Sequence, residues 1–128
     1  VDGQPPSSEW PLHTAVYRRR PEVNAIVHTH SRFATTFAVL RQPIPACHYL
    51  VAVSGADEVR VAPYATFGTD ELARQAVAGL GRDNCILLAN HGLLAVEKDL
   101  HQAYNIALYI EEVAELYYRA RAVGTPEL

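Results

Sequence analysis

The stretch CILLANHGLLAV, residues 85–96, decides the fold of this chain. Residues 85–89 form a continuous apolar run, which is typical of a central β-strand. Asn90-His91-Gly92 is a turn pattern in which Gly92 would let the backbone bend tightly, and residues 93–96 are apolar again. Two short apolar runs joined by such a turn predict a β-hairpin built around His91. The sheet is therefore expected to be at least partly antiparallel.

Helical and extended patterns surround this hairpin. They predict, in chain order, a helix from a Ser8 cap to about Arg19, a strand at 24–30, a helix after a Ser31 cap, an extended segment at 46–53, a strand at 58–62, a helix from a Thr69 cap to Gly81, and a long helix after Asp99. Helices between strands, together with the late hairpin, favour an α/β protein. The expected architecture is a three-layer α/β/α sandwich with a mixed, largely antiparallel central sheet. The apolar stripe of the last helix is long enough for part of it to pack on another subunit.

Composition bounds the class of protein. The chain has 128 residues, 49% of them apolar, which is enough for one domain with a hydrophobic core. The net charge is −3, and the triplet at 18–20 is too short a basic run to predict nucleic-acid binding. No apolar stretch approaches the roughly 20 residues of a membrane span, and no signal-peptide pattern is visible. Cys47 and Cys85 form no close metal motif. We expect a reduced pair and a cytoplasmic location, with a disulfide as the alternative.

His28-Thr29-His30 is the strongest functional signal, and it follows the apolar run at 25–27. In a strand, side chains alternate between faces, so His28 and His30 project to the same side. Two neutral imidazoles on one face make half of a transition-metal site, and His91 is the best third ligand. Three histidines with an open position fit a catalytic zinc. The alternative interpretation is three unrelated core or surface histidines.

Four further residues could add chemistry to such a site. Glu9 could be a general base or a fourth metal ligand, although a carboxylate in a first helical turn is also a common structural feature. Ser7 and Ser8 lie beside a predicted helix N-terminus, where they could bind a phosphate or cap the helix. Tyr49 could donate a proton or simply pack in the core.

Five motifs that include these residues follow one another along the chain. They are Pro6-Ser7-Ser8-Glu9-Trp10, Val27-His28-Thr29-His30, Ile44-Pro45-Ala46-Cys47-His48-Tyr49, Ala62-Pro63-Tyr64-Ala65-Thr66-Phe67-Gly68-Thr69 and Asn90-His91-Gly92-Leu93. In this order and spacing they resemble the class II aldolase/adducin family. Each motif alone is modest, whereas five in order over nearly the whole chain are specific.

The resemblance implies a metal centre and a base. It implies that zinc, one ion per subunit, is held by His28, His30 and His91. It also implies that Glu9 is both the general base and a zinc ligand in the resting state. Other divalent metals remain open, because imidazole-rich sites accept several.

The resemblance also implies a reaction and an assembly. The reaction is the reversible cleavage of a ketose 1-phosphate, of the L-fuculose 1-phosphate type, to dihydroxyacetone phosphate and an aldehyde such as L-lactaldehyde. Ser7 and Ser8 are implied to hold the substrate phosphate, and Tyr49 of a neighbouring subunit is implied to donate the proton. The implied assembly is a homotetramer with active sites at the subunit interfaces.

Other members of the family remain as alternatives. L-ribulose-5-phosphate 4-epimerase shares the retro-aldol logic but tends to carry Asp where this chain has Glu9, and it lacks the His48-Tyr49 pattern. A methylthioribulose-1-phosphate dehydratase uses a similar zinc and glutamate, and an adducin-like interaction domain keeps the fold without the metal. The family also has an N-terminal part with phosphate-binding loops and a C-terminal tail with another catalytic tyrosine. We expect residues 1–128 to be one class II aldolase/adducin domain that lacks both parts.

Overall fold

The computed structural model describes residues 2–128, so Val1, with which the predicted N-terminal loop begins, lies outside the described residues. Within the described part the chain forms four α-helices, four β-strands and one 3₁₀-helix. In chain order they are α1 (Trp10–Arg19), β1 (Ala25–Thr29), α2 (Arg32–Leu40), the 3₁₀-helix (Tyr49–Ser54), β2 (Val61–Ala62), α3 (Asp70–Leu80), β3 (Cys85–Leu88), β4 (Gly92–Glu97) and α4 (Leu100–Val123).

The strands form a mixed sheet in the order β1-β4-β3-β2. β4 pairs antiparallel with β1 and with β3, whereas β2 pairs parallel with β3. The predicted hairpin is present, and its two strands occupy the centre of the sheet. The prediction of a mixed, largely antiparallel sheet is therefore confirmed.

Helices cover both faces of the sheet, which confirms the three-layer sandwich. One core lies beneath α1 and α3 and includes Leu12, Leu80 and Ile86. The other lies beneath α2, α4 and the 3₁₀-helix and includes Phe37 and Leu87. Ile86 and Leu87 are neighbours in β3 yet belong to opposite cores, because successive strand residues face opposite sides. A strand buried on both faces is continuously apolar for this reason.

The caps of α3 and α4 are those that the sequence predicts. Thr69 Oγ1 accepts a hydrogen bond from Leu72 N–H at 3.2 Å. Asp99 Oδ1 accepts one from Gln102 N–H at 2.8 Å. Each side chain satisfies a backbone donor that the first helical turn leaves without a partner.

The start of α1 differs from the prediction by one residue. The N-cap position is Glu9 rather than Ser8, and it makes no side-chain cap bond. Ser7 Oγ accepts the Glu9 N–H at 3.1 Å instead, which forms a local turn just before the helix. The carboxylate of Glu9 is therefore free to point away from the helix start.

The N-terminus of α2 is capped by a side chain from another helix. Ser31 occupies the N-cap position but makes no side-chain cap bond. Glu111 of α4 accepts the N–H groups of Phe33 and Ala34, each at 2.8 Å. A carboxylate suits a helix N-terminus because the backbone dipoles leave partial positive charge there. This contact fixes the start of α2 against α4.

Of two predicted extended segments, the first is wrong and the second is shorter than predicted. The segment at 46–53 forms the 3₁₀-helix, at whose start His48 Nδ1 accepts the Leu50 N–H at 3.3 Å. Such a local side-chain bond offers the backbone an alternative to strand pairing. Of the predicted strand at 58–62 only β2 remains in the sheet, because Val59 makes an isolated bridge outside it.

Two expectations drawn from composition can be compared with the structure. No helix within residues 2–128 has both the length and the apolar character to cross a membrane. Cys47 and Cys85 are free thiols, in line with the expected reduced pair. Burial raises the pKa of both thiols, so both are protonated at neutral pH.

Candidate metal centre

His28 and His30 lie on one face of the chain at β1, as the alternation predicts. Ile26 belongs to the core beneath α1 and α3, whereas Val27 packs against the opposite core. His28 and His30 follow Ile26 at steps of two, so both face the α1 side of the sheet. That is the layer of α1, whose N-cap residue is Glu9.

His91 reaches the same place from the hairpin turn. Asn90 has a φ of 55°, in the left-handed region that Asn tolerates better than most residues. Gly92 is the first residue of β4 and has no positive φ, so it does not supply the predicted bend. Its role is close approach: a Cβ at this position would lie 2.3 Å from Thr29 O and 2.9 Å from His30 Cδ2.

The three imidazoles converge. The ring centroids of His28, His30 and His91 are 4.8 to 4.9 Å apart in every pairing. One nitrogen from each ring lies within 4.8 Å of the other two. His28 Nε2 and His30 Nε2 are 3.1 Å apart. Two nitrogens on one tetrahedral zinc stand roughly 3.3 Å apart, so this spacing suits a shared ion.

A backbone carbonyl orients His28. Its Nδ1–H donates to Leu93 O at 2.8 Å, which leaves the Nε2 lone pair facing His30. Burial lowers the pKa of His28 to about 4, although the hydrogen bond to Leu93 opposes the shift. The ring is therefore neutral at pH 7, the form in which imidazole binds metals.

Glu9 is a buried carboxylate beside the cluster, with only 8% of its surface exposed. Its Oε1 accepts the Gly68 N–H at 3.1 Å and lies 4.0 Å from His91 Nε2. Burial lowers the pKa of His91, while the Glu9 carboxylate opposes that shift. At neutral pH His91 is therefore uncharged, so its contact with Glu9 is not an ion pair.

The surroundings of Oε2, the second carboxylate oxygen of Glu9, indicate whether a metal fits here. Oε2 is buried and has no hydrogen-bond partner among residues 2–128. A buried carboxylate oxygen is costly unless a cation or a donor meets it. Three imidazoles and one carboxylate are a ligand set that zinc accepts. These residues therefore fit a divalent metal held by His28, His30 and His91, with Glu9 beside it.

The other predicted site residues differ in how near they lie to the histidine cluster. Ser7 and Ser8 are exposed and directly precede Glu9, so they lie at the edge of the cluster. Tyr49 is not brought to the cluster within one subunit. Its side chain is 80% exposed and lies against His48, with the ring centroids 4.4 Å apart. The roles predicted for Ser7, Ser8 and Tyr49 stay predictions.

Two backbone groups complete the site, and neither was predicted from the sequence. They are Gly68 N–H, which holds Glu9, and Leu93 O, which holds His28. Every residue carries such groups, so the sequence does not mark them. For the Gly68 N–H, the sequence offers the glycine itself as a signal. The structure shows why glycine suits this position: its φ is 72°, and a Cβ would lie 3.2 Å from Ser8 O.

The depressed pKa of His28 predicts acid-sensitive folding of the metal-free protein. Its folded pKa of about 4 lies below the ordinary value of 6.5, so the unfolded chain takes up the proton first as pH falls. This contribution to stability is complete above pH 6.5 and is lost as pH falls toward the folded pKa. We expect the urea midpoint of the metal-free protein to fall between about pH 7.5 and about pH 5.5.

Two variants isolate the cause. His28→Asn keeps an N–H donor for Leu93 O but removes the titrating ring, so its midpoint should vary less over the same range. His101→Gln changes an exposed residue of α4 and should follow the wild type. Equal pH dependence in His28→Asn and the wild type contradicts the prediction.

Comparisons with known proteins point to one family. The profile of the Class II Aldolase and Adducin N-terminal domain matches residues 1–118. The chain is 48% identical over 124 residues to the 5-methylthioribulose-1-phosphate/5-deoxyribulose-1-phosphate aldolase of Rhodospirillum rubrum, a match that covers 96% of this chain and 56% of the relative. It is 42% identical over 125 residues to the L-fuculose phosphate aldolase of Escherichia coli strain K12, covering 98% and 58%.

Solved structures agree in fold. An L-fuculose 1-phosphate aldolase superposes with a TM-score of 0.93 at 45% identity, covering 96% of this chain and 57% of that one. The L-fuculose-1-phosphate aldolase of Thermus thermophilus superposes with a TM-score of 0.79 at 29% identity, covering 98% and 70%. The chain thus spans little more than half the length of the curated relatives that it matches.

Proposed function

Because the chain belongs to the class II aldolase and adducin N-terminal domain family, we propose that it carries the metal centre of a zinc-dependent aldolase. The proposed reaction is the reversible cleavage of a ketose 1-phosphate to dihydroxyacetone phosphate and an aldehyde. We also propose that residues 1–128 act as one domain and that the working form is a cytoplasmic homotetramer. Since the curated relatives are longer, turnover by the whole protein is part of the proposal.

One observation carries the proposal: the buried Oε2 of Glu9 lies without a hydrogen-bond partner among residues 2–128, in a carboxylate beside three converging histidines. A general base needs a lone pair that the fold does not occupy, and this atom supplies one. A non-catalytic interaction domain offers no physical reason to bury such an oxygen.

The chain's own residues have separate tasks in the proposed mechanism. When bound, zinc supplies Lewis-acid polarisation of the substrate carbonyl and hydroxyl oxygens. In the condensation direction, Glu9 Oε2 takes a proton from the hydroxyl-bearing carbon next to the carbonyl of dihydroxyacetone phosphate, while Gly68 N–H holds Oε1. The resulting carbanion attacks the aldehyde carbon, and the phenol of Tyr49 from a neighbouring subunit protonates the new alkoxide. Ser7 and Ser8 hold the phosphate, and cleavage reverses these steps.

The candidate ketose substrates differ only in the half that becomes the aldehyde product. The metal, Glu9 and the serine pair act on the dihydroxyacetone phosphate half, which all the candidate substrates share. L-fuculose 1-phosphate is the proposed substrate and would release L-lactaldehyde. The 48% identity to the Rhodospirillum rubrum enzyme favours 5-deoxyribulose 1-phosphate as a second candidate, which would release acetaldehyde.

Metal analysis followed by a substrate panel tests the proposal. We expect one zinc per chain and release of dihydroxyacetone phosphate from at least one ketose 1-phosphate in a coupled reductase assay. The panel includes L-fuculose 1-phosphate, 5-deoxyribulose 1-phosphate and 5-methylthioribulose 1-phosphate, with L-ribulose 5-phosphate to detect epimerisation. Chelation should abolish the release and added zinc should restore it. Epimerisation or dehydration without cleavage would replace the aldolase proposal, and a folded protein without metal or turnover would refute it.

Tyr49→Phe is expected to lower kcat by about a hundredfold or more, because a positioned proton donor contributes about that much. Zinc content and thermal midpoint should not change, since the side chain is 80% exposed. Tyr17→Phe, which removes a hydroxyl from the exposed face of α1, is the matched control.

Mixed tetramers test whether Tyr49 comes from a neighbour. Co-assembly of Tyr49→Phe chains with Glu9→Gln chains places an intact Glu9 beside an intact neighbouring Tyr49 in some sites. Activity should therefore reappear on co-refolding. Two inactive variants that stay inactive in verified mixed tetramers contradict the intersubunit role.

A further inference from the structure

Two residues near the metal centre hold the left-handed conformation without being glycine. They are Arg41, with a φ of 53°, and Asn90, with a φ of 55°. Asn tolerates this region, whereas Arg is disfavoured there because its Cβ crowds the following carbonyl. The side chain of Arg41 is thus present at an energetic cost.

Arg41 ends α2 in the arrangement that usually employs glycine. Its N–H donates to Ala38 O at 3.1 Å, and the N–H of Gln42 donates to Phe37 O at 3.1 Å. These two bonds form a Schellman motif with Arg41 at the left-handed position. Glycine at this position would close the helix equally well, so the helix end alone does not account for an arginine.

The Arg41 side chain reaches the turn that carries His91. Its Nε–H donates to Asn90 Oδ1 at 2.8 Å, and its guanidinium lies 5.9 Å from the centroid of the Tyr64 ring. The Asn90 N–H donates to Ala38 O at 3.0 Å, so that carbonyl accepts from both left-handed residues. The turn before His91 is therefore fastened to the end of α2 by a backbone bond and by a side-chain bond.

We propose that Arg41 and Asn90 are positioning residues for the metal centre, because together they set the orientation of the turn that presents His91. This inference rests on the proposed metal site. His28 comes from a paired strand and is oriented by Leu93 O, whereas His91 sits in a turn. Its placement depends on the φ of the preceding residue and on what holds that residue. Groups that orient a metal ligand commonly change metal affinity about 10- to 100-fold when removed.

Glycine substitutions separate positioning from folding. Arg41→Gly and Asn90→Gly both permit a positive φ without strain, so the metal-free thermal midpoint should be unchanged or higher. We expect the zinc dissociation constant, measured against a chelating indicator, to rise about tenfold in each variant. The visible spectrum of the cobalt-substituted protein should also change, because it reports ligand geometry.

Two further variants sharpen the test. Asn90→Asp keeps an oxygen that accepts from Arg41 and should retain the wild-type cobalt spectrum. Arg82→Gly removes an exposed arginine from the turn after α3 and should alter neither affinity nor spectrum. The double variant Arg41→Gly/Asn90→Gly should bind zinc no more weakly than Asn90→Gly alone, because Arg41 acts through Asn90.

Each contrary outcome has a distinct meaning. If the wild type binds zinc and both glycine variants match it in affinity and spectrum, the positioning role is overturned while the proposed metal site stands. If the losses of the two single variants add fully, the link through Asn90 is overturned. If the wild type itself binds no zinc, the metal site and the positioning role fail together.

Discussion

Glu9→Gln is expected to leave zinc bound and to lower turnover by about a thousandfold, within the range for loss of a general base. Glutamine has the same shape, and its amide oxygen can still accept the Gly68 N–H that now reaches Oε1 at 3.1 Å. The amide cannot take up a proton at neutral pH, so the proton-transfer step is lost. The three histidines still converge, so metal binding should persist with modest weakening.

Proton exchange measures this step alone. Wild-type protein should exchange the abstracted proton of dihydroxyacetone phosphate with deuterium from the solvent without any aldehyde present, and Glu9→Gln should not. His28→Ala should lose both zinc and exchange, which separates a metal ligand from a base. Glu112→Gln, on the exposed face of α4, is the matched control. Near-normal cleavage by Glu9→Gln, or full zinc occupancy in His28→Ala, contradicts the assignment.

Gly92→Ala is expected to disrupt both the fold and the metal centre. The added Cβ would lie 2.3 Å from Thr29 O and 2.9 Å from His30 Cδ2, and at least the first contact is with rigid backbone. β4 must then move away from β1, although their pairing carries both His28 and the second strand of the hairpin. Overpacking of a well-packed site costs about 1–3 kcal/mol and occasionally more.

Thermal midpoint and zinc content should fall together in this variant. Gly124→Ala is the matched control, because a Cβ there meets no atom of the described residues within 4 Å. Gly79→Ala is a graded comparison, since its Cβ would meet Ile86 Cδ1 at 2.6 Å, the end of a side chain that can move. A Gly92→Ala protein with wild-type stability and zinc content would show that the strands tolerate the separation.

Patterns confined to a few neighbouring residues predicted much of the fold. The hairpin at 85–96 is present because the apolar runs and the turn are local and agree with each other. The caps at Thr69 and Asp99 form because each needs only a side chain and a backbone donor a few residues away. The extended segment predicted at 46–53 was wrong because a local bond at His48 competes with pairing that no short pattern reveals.

The candidate site was likewise predictable only in part. Alternation along a strand is sufficient to predict that His28 and His30 share one face. The convergence of His91 on them depends on the order β1-β4-β3, in which the hairpin lies beside β1. The three imidazoles agree with the ligand set that the family resemblance implied, while their binding of zinc stays a proposal.

By itself, the sequence determined the layered α/β architecture and the family, and it predicted which side chains are candidates for binding a metal or moving a proton. It could do so because periodicity, turn chemistry and motif order are properties of neighbouring residues. Only the tertiary structure decided that Glu9 keeps one oxygen on Gly68 and the other without a hydrogen-bond partner among residues 2–128. It also decided that Gly92 provides space rather than a bend and that Arg41 holds the turn of His91. These contacts join residues that lie far apart in the chain, often through backbone atoms that every residue possesses, so they exist only once the layers have packed.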